Sequence, residues 1–159
     1  MPRLSRGAAN ESSEKRGNVA EGIDVRLIGP EDAGVFAHVA DGVFDEPPLP
    51  ARVDAYLAEP GHLMALAFDG DRVVGQVAAV IHRHPDKPAE LYLDEVGVAD
   101  AYLRRGIATR MVERMLAEGR ARGCAECWVG TEPDNEAARA LYRKWQDEAE
   151  PFVMYLFDL

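Results

Sequence analysis

Arg104, Arg105 and Gly106 stand together directly before the helical run "IATRM". A basic, side-chain-poor turn at the mouth of a helix suits an anion. The N–H groups of a first helical turn have no carbonyl partner, and the macrodipole adds partial positive charge there. Gly106 lets an anion approach the main chain closely, and the two guanidinium groups add ionic contacts. Neither GxxxxGK[ST] nor GxGxxG occurs, so an ordinary strand-to-helix turn with two solvated arginines is the alternative. Glu95 and Asp94, eleven and twelve residues before Gly106, form a carboxylate pair inside the apolar run "LYLDEVGV". A carboxylate can take a proton from an ammonium directly or through a water. A pair set among Leu, Tyr and Val is unusual for plain surface charge. Successive strand residues face opposite sides, so only one of the two enters a cleft unless a bulge intervenes. Cys124 and Cys127, in "CAEC", have the spacing of a redox pair or half a zinc site. They lie in a strand-like segment with no second ligand pair downstream, and we read them as reduced thiols holding no metal.

The elements that must position these groups follow from periodicity. "IDVRLI" (23–28) alternates as a strand does. "GPEDAGVFAHVADGVF" opens with Pro30 and two acids, as a helix does. "FDEPPLP" (44–50) breaks the chain, and "ARVDAYLAE" (51–59) is a short helix stopped by Pro60 and Gly61. "LMALAF" (63–68) and "RVVGQVAAVIH" (72–82) flank "DGD", a hairpin signal. "AELYLDEVGV" (89–98) is the next strand. From Arg104 to Arg122 the pattern turns helical, with Ile107, Met111, Met115 and Leu116 on one face and Gly123 closing it. "AECWVG" (125–130) is a strand, "TEPDNEAARALYRKW" a helix capped from Thr131, and "PFVMYLF" (151–157) a closing strand. The order β α α β β β α β α β combines an antiparallel hairpin with a parallel, right-handed crossover. It predicts an α/β (α+β mixed) fold, a mixed sheet with helices on both faces.

Composition narrows the partners. The chain has 159 residues, 47% of them hydrophobic, which is enough for a core. Residues 1–21 are polar and aperiodic and read as a mobile tail, of native or cloning origin, before a single domain over 22–159. That tail carries four basic and three acidic residues, so the net charge of −10 becomes −11 over the remainder. Such a charge disfavours nucleic acid and is compatible with a cationic small molecule or with acidity that only aids solubility. There is no apolar run long enough for a membrane span and no signal-peptide core, so no membrane partner and a cytoplasmic location are expected.

"LYLDEVGVADAYLRRGIATRMVERMLAEGRARG" followed by "NEAARALYRKW" resembles the GNAT superfamily of acetyl-CoA-dependent N-acetyltransferases. The resemblance covers residues 23–159 in element order and is sharpest over 91–145. Within the superfamily it is most like the aminoglycoside 3-N-acetyltransferases, through "RGIAT", "EVGV", "ALY" followed by Lys144, and the terminal "FDL". The family's turn motif is Arg or Gln, two residues, Gly, one residue, then Gly or Ala. Gly106 and Ala108 match it, and Leu103 departs from it at the first position. After "LYRK" the family's Leu-Gly-Phe is replaced by Trp145, Gln146 and Asp147.

The resemblance implies a mostly antiparallel central sheet in which strand 91–98 splays from strand 125–130. The pantetheine arm of acetyl-CoA would lie in that gap, paired with the backbone of Val96, Gly97 and Val98. Its pyrophosphate would rest on the turn spanning Arg104, Arg105, Gly106, Ile107, Ala108 and Thr109, and Asn135 would bond the arm. Glu95 takes the general-base role and Tyr142 that of the general acid at the coenzyme A sulfur. Without the resemblance, Tyr142 reads as a core aromatic. A polycationic acceptor needs acids, and Asp45, Glu46, Asp94, Glu132 and Asp158 are the candidates. The expected reaction is acetylation of an aminoglycoside antibiotic, at its 3-amino group by resemblance, and hence resistance. Two alternatives stand: a GNAT enzyme for a polyamine, peptide N-terminus or other small amine, and an acyl-CoA-binding protein without turnover. A homodimer is compatible with either.

Overall fold

In a computed structural model that describes residues 22–159, the five strands lie in the order they occur along the chain. The expected tail, 1–21, lies outside the described residues. β1 (Ile23–Ile28), β2 (His62–Asp69), β3 (Arg72–His82) and β4 (Glu90–Val98) pair antiparallel, each with the next. The turn through Gly70 and Asp71 makes the β2–β3 hairpin the sequence announces. β5 (Glu126–Trp128) joins β4 in parallel. The result is the mixed, mostly antiparallel sheet expected, with a parallel pair at one edge.

α1 (Pro50–Ala58) starts at a proline whose fixed φ suits a first helical turn. α2 (Ile107–Ala121) follows β4, and α3 (Glu136–Tyr142) follows β5. The segment Pro30–His38 is a 3-10 helix, not the α-helix its periodicity suggests. None of its residues is fully buried, and only Val35 and Phe36 pack on the core, too narrow a contact to hold a regular α-helix there. It leads instead into a loop tied to β3, where the Ala40 N–H donates to the Val73 carbonyl at 2.8 Å.

α2 packs its predicted face on the sheet: Ile107, Met111 and Met115 are buried, Leu116 is half-buried, and Val112, outside the predicted set, is buried too. Burying each such side chain stabilises by about 1.5–3 kcal/mol. The Arg110 guanidinium, through Nη2, donates to the Ile23 carbonyl at 2.9 Å and fixes the helix to β1. Neighbouring residues of β3 reveal the two faces. A side chain at Gly75 would meet Met111 of α2, whereas Gln76 points to the other face, near Val43.

Two departures concern the end of the chain. α3 is capped by Asn135, whose Oδ1 accepts from the Ala138 N–H at 3.1 Å, and not from Thr131. Residues 151–157 form no strand, and Phe152, Val153, Met154, Tyr155, Leu156 and Phe157 are exposed. Apolar, aromatic and β-branched residues supply strand propensity but no partner edge. The edge strand next to it, β5, has three residues.

Candidate active site

A bulge interrupts β4 at the carboxylate pair, the one condition under which both could have faced the same side. Ala78 pairs with Glu95 and Ala79 with Leu93, so Asp94 has no partner across the ladder. One extra residue turns the side chains after it to the opposite face. Leu93 is buried, while Asp94 is exposed and Glu95 half-buried. Glu95 lines a cavity of about 350 Å³ together with Asp45, Glu46, Arg52, Tyr56 and Met64. Burial raises the Glu95 pKa above the ordinary carboxylate range, and the charge of Asp45 adds to this. The buried Gln76 amide beside it opposes the shift. Tyr56, from α1, donates its hydroxyl to the Leu63 carbonyl at 2.9 Å, and burial pushes its pKa up to about 12. It is therefore a neutral wall of the cavity.

β4 pairs with β3 as far as Val98, but with β5 only over Glu90–Tyr92. Beyond Tyr92 the edge of β4 facing β5 has no strand partner among the described residues. Val96, Gly97 and Val98 thus combine a fixed position, given by β3, with main-chain groups free on the side of the gap. Glycine at 97 has a structural use: a Cβ there would sit 2.2 Å from the Val43 carbonyl oxygen. The loop bearing Asp45 presses on β4 at that residue.

The turn after β4 has the shape an anion site needs. Arg104 and Gly106 both take left-handed backbone, at φ 57° and 74°. The Gly106 carbonyl receives the first helical bond, from the Arg110 N–H at 3.1 Å, and no side chain caps α2. The N–H groups of Ile107, Ala108 and Thr109 precede any helical acceptor. Ile107 is buried and contributes only its backbone. The Arg105 guanidinium lies 5.0 Å from the Tyr102 ring centre, and the Tyr102 hydroxyl donates to Asp69 at 2.7 Å. Lys144 Nζ donates to Thr109 Oγ1, bringing a third cation to the turn. Leu103 is exposed. These free amides and cations fit a pyrophosphate, and the open edge of β4 fits an amide-bearing arm.

Tyr142, the last residue of α3, stands on the β5 side. Burial raises its pKa, with a smaller contribution from Cys127 beside it. The thiols are kept neutral in the same way: burial raises Cys124 and pushes Cys127 up to about 11. Of the five acids expected to meet a cation, Asp45 and Glu46 share the cavity with Glu95, and Asp94 flanks it along the strand. Glu132 lies in the exposed loop between β5 and α3, and Asp158 in the unpaired final segment, neither on the cavity lining. Asn135 spends its carbonyl oxygen on the α3 cap, leaving its NH₂ for other partners. Sequence reasoning missed Gln76, Tyr56 and Lys144. A glutamine inside the apolar run "VVGQVAAV" is the signal that could have marked the first.

The model of the Acetyltransferase (GNAT) family matches residues 35–147. N-alpha-acetyltransferase RimI of Mycobacterium tuberculosis is 35% identical over 125 residues, 77% of each chain. N-alpha-acetyltransferase 30 of Schizosaccharomyces pombe is 32% identical over 79 residues, half of this chain and 53% of that protein's length. An aminoglycoside acetyltransferase from an uncultured soil metagenomic sample superposes with a TM-score of 0.73 at 25% identity, covering 86% of this chain and 99% of that one. AAC(6')-Iy in complex with a coenzyme A bisubstrate analogue superposes with a TM-score of 0.71 at 18% identity, over 86% and 99% of the two chains. At that identity the likeness is one of fold. Among the described residues no helix is long and apolar enough to cross a membrane.

Proposed function

We propose that this chain, which belongs to the acetyltransferase (GNAT) family and uses acetyl-CoA, acetylates a primary amine of an aminoglycoside. Residues 22–159 act as its single catalytic domain. When bound, acetyl-CoA supplies an acetyl group activated as a thioester. The backbone of Val96, Gly97 and Val98 holds the arm, and the turn from Arg104 to Thr109, with Lys144 beside it, holds the pyrophosphate. Glu95 takes the proton from the acceptor ammonium, and its raised pKa makes it a stronger base than an exposed carboxylate. Tyr142 gives its Oη proton to the departing sulfur; burial keeps that phenol protonated until needed. Asn135 NH₂ steadies the arm, while Asp94, Glu132 and Asp158 contribute negative field to the approach of the acceptor.

One observation carries the choice of acceptor: the cavity at Glu95 is lined by Asp45 and Glu46 as well, against the single cation Arg52. An acidic pocket in a chain of net charge −10 concentrates polycations and speeds their encounter. A second reading, acetylation of a peptide N-terminus, is favoured by the two N-alpha-acetyltransferase relatives and by the apolar lining of Phe36, Phe44, Leu49 and Leu57. Thiol release from acetyl-CoA, with gentamicin set against alanyl peptides and spermidine, decides between them. Turnover of gentamicin at least tenfold faster supports the first, and faster turnover of the peptide replaces it. We assign the 3-amino group by the resemblance to the 3-N-acetyltransferases, and mass-spectrometric and NMR mapping of the product tests that position against the 6′.

A further inference from the structure

Gln76 is fully buried, the only polar residue so buried among those described. Neither its Nε2 nor its Oε1 has a hydrogen-bond partner. An unpartnered buried polar atom costs stability, and a leucine or methionine would fill the same space at no such cost. Its placement suggests what the amide is for. Gln76 pairs with Gly97 across the β3–β4 ladder, two residues beyond Glu95. Its Nε2 lies 3.5 Å from the point a Gly97 Cβ would occupy, under the Val43 carbonyl. The amide is therefore enclosed between β4 and the loop that carries Asp45, on the face where Glu95 meets the cavity.

We propose that Gln76 is the positioning residue for Glu95: its Nε2–H donates to the Glu95 carboxylate, directly or through one water, and holds the base aimed at the acceptor amine. This rests on the reading of Glu95 as base. No bond of ordinary geometry joins the two side chains without acceptor, and catalytic hydrogen bonds commonly tighten only in the reactive complex. Among the other groups facing Glu95, Arg52 is the one free donor, and it comes from the far side of the cavity, on α1. Asp45 and Glu46 from the loop and Asp94 on its own strand repel its charge. Tyr56 from α1 already donates to the Leu63 carbonyl. Arg52 from α1 shares the cavity lining, and Gln76 is the donor that approaches from the sheet.

The test uses the full chain with Gln76→Leu and, as a second packing solution, Gln76→Met. Carboxyl ¹³C NMR follows the titration of Glu95, its signal assigned by Glu95→Gln. Both Gln76 variants should move that titration to higher pH, keep coenzyme A affinity, and melt no lower than the parent, since an orphan amide has gone. With whichever amine is turned over, kcat/KM should fall about tenfold at low pH and much less at high pH, the loss of one hydrogen bond to a charged group. In the Glu95→Gln background, Gln76→Leu should have no further effect. An unmoved Glu95 titration with a lowered melting temperature overturns the inference and makes Gln76 structural. Full activity in Glu95→Gln alone overturns the base assignment instead, and the NMR titration keeps the two failures apart.

Discussion

Alanine at Gly97 separates two uses of one residue. The position does not take left-handed backbone, so a methyl group costs only what it collides with. That collision is with main chain: the new Cβ would lie 2.2 Å from the Val43 carbonyl oxygen and 3.2 Å from its carbon. Carbon and oxygen need about 3 Å or more, so one side must yield by roughly an ångström in a close-packed interior. β4 is held through its whole length by β3, whereas Val43 is tied by its N–H to Ala40 at 3.4 Å. The loop is the side that moves. Overpacking of this kind costs about 1–3 kcal/mol, a fall in melting temperature of roughly 3–10 °C at this chain length. The displaced loop carries Asp45 and Glu46, so the acceptor KM should rise several-fold. Coenzyme A should bind within about threefold of the parent, because the turn before α2 is untouched. Thermal melts, calorimetric titration with coenzyme A and thiol-release kinetics read these separately. An unchanged melting temperature would refute the packing argument. Joined to a tenfold loss of coenzyme A affinity, it would mean that the missing side chain makes room for the cofactor arm.

At Gly106, φ is 74° with open space around the Cβ direction, so Gly106→Val suffers backbone strain of about 1–2 kcal/mol and should weaken coenzyme A at least tenfold by calorimetry; unchanged affinity would make the turn structural. Tyr142→Phe should lower kcat about a hundredfold with little change in acceptor KM. Because burial holds the phenol protonated, that loss should be constant from pH 6 to 9, and an unchanged kcat removes the general-acid role. Glu95→Gln should lose transfer yet gain stability at pH 8. The raised pKa means the folded chain holds the Glu95 proton more tightly than the unfolded one, so ionisation costs stability as pH rises through the folded value. The gain should vanish near pH 4, where both states are protonated. Denaturant melts at the two pH values test this, and a variant less stable at pH 8 contradicts it.

Legibility in the sequence depended on whether a feature was periodic or relational. α2 could be read because Ile107, Met111 and Met115 repeat on one face, and the β2–β3 turn because "DGD" interrupts two apolar runs. The turn before α2 was legible from Arg104 to Gly106 because a glycine ahead of a helical run is a local signal. The 3-10 segment was not, because proline and acids announce a helix start without saying whether a core will hold the later turns. The final segment shows the same limit: "PFVMYLF" is an apolar run of strand length, but pairing requires a neighbouring edge that local pattern does not encode. The bulge at Asp94 was foreseeable only as a condition, that both carboxylates could not face one cleft without it. Gln76 matters only through what lies across the ladder from it, and Val43 only through the glycine of β4 that its loop meets.

The residues that break local rules cluster where the chemistry is proposed. Asp94 interrupts a ladder otherwise in register, Glu95 carries charge into a half-buried wall, Gln76 hides an amide without a partner, and Arg104 takes a backbone region that residues other than glycine seldom adopt. Each costs stability, and each could be removed by an ordinary substitution. A chain built only to fold would place leucine at Gln76 and no acid at Glu95. These costs fall on β3, β4 and the turn that follows, on a sheet elsewhere packed with Val, Ala and Leu, which agrees with the proposed site of a base facing a cation and an arm on a bare strand edge. The acidic loop completes that account. On the proposed reading, Asp45 makes Glu95 harder to ionise, and an ammonium entering beside the two would favour the charged carboxylate.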